Sequence, residues 1–272
     1  MDVFLHLTFC FAQVVPSFVN VVRFTPLTEV SLKEFLFQQL GFLIAIVKQH
    51  IRPLLDQILE VVKEHWTVNS PFQITIIFQI EHVAMALMGA EFKMYLPHLV
   101  PLILRVLTHD ASKDRSVTGN CFGYLIFVQF FINSNFIKGK LLQAVQKFGS
   151  NLEDYLHLLL PPIVKLFDAI DVNINVRRTA LETVDLISDT LDLSDFASRI
   201  IQPLIRCIEN TSELRPVAME TLASLVAQLG KKYLIFIPMV QKVLNRHRIQ
   251  HQRYDVLVAK ILNVSNGICS LD

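Results

Sequence analysis

The chain has 272 residues, with 25 Lys and Arg against 24 Asp and Glu, 52% hydrophobic residues and only 18% charged. The near-neutral balance excludes recruitment of nucleic acid or an anionic membrane surface by overall charge. A charged share below the roughly 25% of ordinary soluble domains points to apolar surface that something else covers. The four cysteines, Cys10, Cys121, Cys207 and Cys269, have neither metal-ligand spacing nor a pairing logic, which suits a reducing cytosol or nucleus.

Residues 1–31 read as an atypical N-terminal helical segment. The apolar stretch 3–22 follows Met1-Asp2-Val3 without the basic residues of a signal peptide, and Pro16, Asn20 and Arg23 interrupt it, so no membrane span is expected there. Helical hairpins are expected over 32–118. Leu32, Phe35, Leu36, Leu40, Leu43 and Val47 line one side of a helix over 32–49, and a second helix over 51–65 completes the pair. The next pair falls over 71–88 and 93–108, opened by Ser70 as N-cap and Pro71 in the first turn.

Residues 119–139 break the pattern. They hold five Phe among Gly, Asn and Ser, and the helical spacing resumes only at Lys140, so the segment reads as an insertion. Its apolar run 121–132 is shorter than the about 20 residues that cross a bilayer. Hairpins return over 140–264: a helix over 153–168, then 175–191 with 196–209, 213–229 with 232–246, and a last helix over 250–264 before a tail at 265–272.

The hairpins are copies of one unit. Gly89, Phe92, Tyr95, Leu96 and Pro97 match Gly230, Tyr233, Phe236, Ile237 and Pro238 in type and offset. Each Gly, with Gly149 as a further copy, would close one helix in a left-handed conformation, and each Pro would enter the first turn of the next. Pro53, Pro97, Pro161, Pro203 and Pro238 recur at roughly the 40–47-residue period of two-helix repeats, except for one longer gap that contains the insertion. A second signature opens two hairpins: Asp171 before Val176, Arg177 and Ala180, and Glu209 before Leu214, Arg215 and Ala218. It resembles the HEAT pattern, in which the Arg stem lies on apolar surface and its head bonds a carboxylate such as Asp171 or Glu209. The chain therefore reads as all-α, a HEAT-type α-solenoid of stacked antiparallel helix hairpins forming one continuous array.

Residues for chemistry are not in evidence. There is no Gly-rich phosphate loop, no kinase His-Arg-Asp or Asp-Phe-Gly triplet and no Gly-x-Ser-x-Gly elbow. Glu182, Asp185 and Asp189 suit a solvated helix face. His247 and His251 stand at i and i+4, but Arg248 occupies the place of a glutamate and no third ligand follows, so no metal or cofactor is expected. Arg246, His247, Arg248 and Arg253 form either a protein-contact patch or a polar face between repeats.

Residues 34–41, 154–168 and 230–257 resemble the target of rapamycin kinases of the phosphatidylinositol-3-kinase-related group. The resemblance covers 34–118 and 140–262 and falls on the middle HEAT region. It implies an internal piece of a very large Ser/Thr protein kinase, whose FAT and kinase domains lie elsewhere and use ATP and Mg. It also implies a scaffold role in growth and nutrient signalling, with the rest of the kinase chain, raptor or rictor type subunits and a dimer mate as partners. No catalytic residue carries over. The location implied is cytoplasmic, extending to the lysosomal surface or nucleus through the parent complex. The alternative is a stand-alone HEAT or armadillo adaptor of the transport or phosphatase-scaffold type, which would need a charged concave stripe.

Overall fold

The computed structural model describes residues 2–66, 73–87, 90–108 and 135–266. Every regular element among these residues is helical, so the chain is all-α. It divides into two compact units, Met1–Leu152 and Glu153–Asp272, in which helix hairpins stack in the manner of HEAT repeats.

The first unit holds α1 (Asp2–Phe24), α2 (Val30–Val47), α3 (Leu55–His65), α4 (Gln73–Ala86), the single turn α5 (Ala90–Lys93), α6 (Leu96–Thr108) and α7 (135–146). The helix α1 packs on both α2 and α3. It thus takes the place of the second helix of a hairpin, and Val15, Val19 and Val22 are its buried stripe. The helices α2 and α4 lie side by side as the first helices of successive hairpins. The helix α7 is already formed at 135, ahead of Lys140, with Asn135, Ile137 and Lys138 buried. Residues 119–134 of the expected insertion, with Ser70, Pro71 and Gly89, lie outside the described residues.

The side of α2 turned inward differs from the periodic reading. Leu36, Leu40 and Val47 are buried with Lys33, Phe37 and Ile44, whereas Leu32 and Phe35 are 46% and 54% exposed. Lys33 lies on the inward side with its Nζ donating to the Thr25 carbonyl at 2.7 Å. That bond satisfies a carbonyl beyond the end of α1 and lets a cation, normally assigned to solvent, face inward.

The second unit holds α8 (Leu156–Lys165), α9 (Ile174–Thr190), α10 (Ala197–Asn210), α11 (Arg215–Leu229), α12 (Ile237–His247) and α13 (Gln252–Asn266). The first helices α9, α11 and α13 stack as one layer, and α8, α10 and α12 as the other. Asn173 caps α9 by accepting from the Asn175 N–H at 2.9 Å. The helix α11 is buried along its length, and Ala218 and Ala223 keep its neighbours close.

Three seven-residue 3-10 turns, Lys48–Leu54, Gly149–Tyr155 and Gly230–Phe236, join first to second helices. Each starts on a residue of positive φ, at 51°, 53° and 52° respectively. Each buries one residue at the same offset: Ile51, Leu152 and Tyr233, all 0% exposed. Glycine supplies this backbone freely at two of the stations, and Lys48 adopts it at the third.

The prolines mark something other than the first turn. Pro97 and Pro238 are second residues of α6 and α12, but Pro161 and Pro203 sit in the second turns of α8 and α10, and Pro53 lies in the 3-10 turn before α3. None of the five is buried. On an outward face the carbonyl that loses its N–H partner can turn to water, which relieves the cost of a proline inside a helix.

Among the described residues two stretches, Val30–Val47 and Ser212–His247, are apolar and long enough to cross a bilayer by length and composition. The second is broken at Gly230 into α11 and α12. The first is α2, whose inward face packs on α1 and α4.

Candidate docking surface

A stacked array exposes two things that can act: the seams between hairpins and the outer faces of the helices. The seams of the second unit are polar. Arg177, near the start of α9, donates through Nε and Nη2 to the Phe167 carbonyl at 2.9 and 2.7 Å, and Nη2 also reaches Thr211 Oγ1 at 2.9 Å. Arg215, first in α11, donates through Nε to the Ile208 carbonyl at 2.9 Å and through Nη2 to the Glu209 carbonyl at 3.4 Å. Its Nη2 also lies 3.3 Å from His247 Nδ1.

The expected carboxylate partners are therefore replaced by carbonyls. Phe167 follows the end of α8, and Ile208 and Glu209 close α10, where backbone oxygens lack intrahelical partners and carry the negative end of the helix dipole. A guanidinium fork serves them directly. Asp171 is exposed, and the Glu209 carboxylate is held by Arg246 at 2.5 Å. Lys33 does in the first unit what these arginines do in the second.

A second set of bonds joins the first helices. Thr221 Oγ1 lies 3.3 Å from the Leu181 carbonyl and shares its one proton with the Val217 carbonyl of its own helix, at 3.1 Å. Gln228 Nε2 donates to the Ser188 and Leu191 carbonyls, both at 2.7 Å, and its Oε1 accepts from the Leu193 N–H at 3.0 Å. In the first unit Gln79 Nε2 donates to the Phe37 carbonyl. No sequence pattern announces these three residues, because each partner lies in the preceding hairpin. Lys33 had a visible signal, an aliphatic-Lys-x-x-aliphatic run with lysine in the arginine's place.

The cations read as a patch separate from one another. Arg246 pairs with Glu209, Arg253 with Glu220 at 2.8 Å, and His247 faces Arg215. Arg248 is the exposed left-handed C-cap of α12, and its side chain bonds no described residue. His251 Nε2 lies 3.2 Å from Glu220 Oε1. Hydrogen bonding from Arg253 holds the Glu220 carboxyl below the usual range. Arg246 and Arg253 thus sit in contacts between successive hairpins, whereas His247 meets Arg215 within one hairpin. Glu182 and Asp189 are exposed, whereas Asp185 is half-buried.

Among the described residues no three His, Cys, Asp or Glu side chains gather as a metal site. Burial pushes the Cys207 thiol up, away from reactivity. An open groove of about 420 Å³ between α11 and α13 is lined by Ala227, Gln252, Arg253, Val256 and Leu257. It contains no acid–base pair.

No protein-family model matches the chain. It is similar to serine/threonine-protein kinase mTor of Drosophila melanogaster, 49% identical over 254 residues that make up 93% of this chain and 9% of that protein. The chain corresponds to a segment of the target of rapamycin kinases. Serine/threonine-protein kinase tor1 of Schizosaccharomyces pombe is 36% identical over 251 residues, 92% of this chain and 10% of that protein. The similarity extends to serine/threonine-protein kinase TOR of Arabidopsis thaliana, 29% identical over 256 residues, 91% of this chain and 9% of that one. The chain thus spans about a tenth of the length of the curated relatives it matches. In it Arg177, Arg215, Thr221 and Gln228 hold successive hairpins in register, with Gly149 and Gly230 at the turns.

Proposed function

We propose that this chain is a non-catalytic HEAT-repeat scaffold segment of a target of rapamycin kinase, contributing to assembly of the kinase complexes in growth and nutrient signalling. The observation that carries the reading is the use of its polar side chains. Arg177, Arg215 and Gln228 are each committed to a neighbouring hairpin. The chain's mechanism is then geometric: nearest-neighbour bonds fix the pitch of the array, and the array presents surfaces to large partners.

In this reading the partners are the remainder of the kinase chain, raptor or rictor type subunits and a dimer mate. Phosphoryl transfer with ATP and Mg belongs to a kinase domain outside these residues. The place of action is the cytoplasm, with the lysosomal surface or nucleus reached through the assembled complex.

The test has two arms. The chain alone, incubated with ATP and Mg, is expected to phosphorylate no protein substrate; phosphotransfer that co-purifies with it and survives repurification would refute the reading. In the intact Drosophila kinase, alanine at the positions matching Arg177 and Arg215 is expected to reduce co-purification of its complex subunits. Unchanged subunit recovery with a demonstrably destabilised segment would equally count against it.

A further inference from the structure

The exposed charge of the second unit is divided between its two layers. On the second helices α8, α10 and α12, which lie side by side with α10 in the middle, the exposed lysine, arginine and carboxylate residues are Lys165, Arg199, Arg206, Lys242 and Arg246, all cationic. The first helices are mixed, with Glu182 and Asp189 on α9, Glu220 on α11 and Asp255 on α13 exposed. Nor is the bias common to every second helix, because α3 of the first unit exposes Asp56, Glu60 and Glu64.

Ion pairs give the register across the three helices. Arg206 Nε meets Asp168 Oδ2 at 2.7 Å, and Arg246 Nη1 meets Glu209 Oε1 at 2.5 Å. Asp168 and Glu209 follow Lys165 and Arg206 by three residues each, so Lys165, Arg206 and Arg246 form one row across the helices. Seven residues earlier in each helix stand Leu158, Arg199 and Met239, of which Leu158 and Met239 are 41% and 38% exposed. The two carboxylates are half-buried and taken up by the two arginines. That leaves Lys165, Arg199 and Lys242 bonded to no described residue. The face is a cationic field with a large apolar side chain on either side of Arg199.

We infer that this face binds an acidic polypeptide segment laid across α8, α10 and α12, its carboxylates meeting Lys165, Arg199 and Lys242 and its apolar side chains covering Leu158 and Met239. The inference stands apart from the scaffold reading, because it uses none of the bonds that hold the hairpins together. Neighbouring helices are about 8–10 Å apart, a distance that an extended chain covers in about three residues. Acidic residues recurring at that interval meet one helix after another. Interface cores favour Arg and Met over Lys, which places the centre of the contact on the row of Leu158, Arg199 and Met239. A nucleic acid fits less well: carboxylates already occupy two of the three arginines that could grip phosphate, and the three helices contain no Phe, Tyr or Trp on which a base could stack. An anionic membrane fits less well too, since Glu153, Asp154 and Asp195, exposed on the turns that lead into α8 and α10, would repel a flat surface of their own charge.

Photo-crosslinking in the full chain, expressed within its natural kinase, tests the chemistry of the occupant, because a benzophenone captures whatever class of molecule lies beside it. Benzoylphenylalanine is placed singly at Leu158, at Met239 and, as a control on the other layer, at the 47% exposed Leu186 of α9. Adducts are mapped by mass spectrometry. The expected result is one segment captured from both positions 158 and 239, rich in Asp and Glu and holding apolar residues. A second arm combines Lys165→Glu, Arg199→Glu and Lys242→Glu with each probe. Like charges across an interface should lower the capture about tenfold or more, without lowering the yield of soluble kinase, because all three residues are exposed. Lys165→Arg, Arg199→Lys and Lys242→Arg together should preserve it. Adducts to nucleic acid or lipid, a segment poor in acidic residues, no adduct above the Leu186 control, or capture that the three glutamates leave unchanged would overturn the inference.

Discussion

Gln228 and Ser188 are joined across one repeat: the amide Nε2 of the first donates to the carbonyl of the second at 2.7 Å. The same side chain also bonds the Leu191 carbonyl and the Leu193 N–H, so one residue of α11 satisfies three backbone groups at the end of α9. Leucine keeps the bulk and loses all three bonds. Gln228→Leu is expected to lower unfolding stability by about 1–3 kcal/mol, the cost of leaving partly buried polar groups unpaired. Gln38→Leu, at an exposed site of α2, is the control and should shift the urea midpoint by little. Equal midpoints for both variants would show that the bonds across the repeat contribute nothing.

Arg215 serves two carbonyls with one rigid fork, whereas Lys33, at the same station, serves one. Arg215→Ala should therefore cost about 1–3 kcal/mol through the unpaired end of α10. Arg215→Lys should recover part of that, because an ammonium can still reach one carbonyl and still opposes the helix dipole. Urea unfolding of the three proteins checks the order wild type, lysine, alanine. Lysine falling below alanine would show that the fork geometry, not the charge, is required.

The hairpins were legible in the sequence because burial follows a period that apolar residues display. The buried stripes of α9 and α11 could be placed from Leu181, Val184, Ile187, Leu222 and Leu225. The inward side of α2 could not, since a period count assigns lysine to solvent and Lys33 is 2% exposed. Thr221, Gln228 and Gln79 carry no local signal at all; their meaning lies in a carbonyl of the preceding hairpin. The prolines told of outward faces, and the positive-φ stations, two of them glycine, are the better ruler of register.

Those stations make a reciprocal prediction. Gly230 has φ 52°, and a Cβ there would meet no atom within 4 Å, so Gly230→Ala adds backbone strain without a clash. With ψ at −126° the residue lies outside the left-handed helical region expected of it, in a sparsely populated one, and the substitution should cost about 1–3 kcal/mol. Lys48 already bears this strain at φ 51°, and Lys48→Gly should relieve it, less the entropy that glycine gains in the unfolded chain. Thermal unfolding of both single variants is the measurement. A fall in Tm for Lys48→Gly comparable to that for Gly230→Ala would mean that the two turns are not the same device.

The pair Tyr233 and Tyr254 gives the array a response to alkali. Their hydroxyls lie 3.1 Å apart with the rings edge to face, and both residues are almost wholly buried. Burial pushes both phenols above their ordinary value of 10.0, since a phenolate there would lose its water. A raised folded pKa means that the folded chain holds its protons more tightly than the unfolded one. The contribution is therefore complete below about pH 10 and is lost as pH rises through and beyond that value. Tyr233→Phe should cost about 1–3 kcal/mol at pH 8, because the Tyr254 hydroxyl is left buried without its partner. The double Phe variant should regain part of this loss, and its stability should fall less than the wild type's between pH 9 and pH 11, at roughly the phenol range. Only the difference between the curves reports the pair. Parallel curves for wild type and double variant would show that the two tyrosines are not the alkaline-sensitive groups.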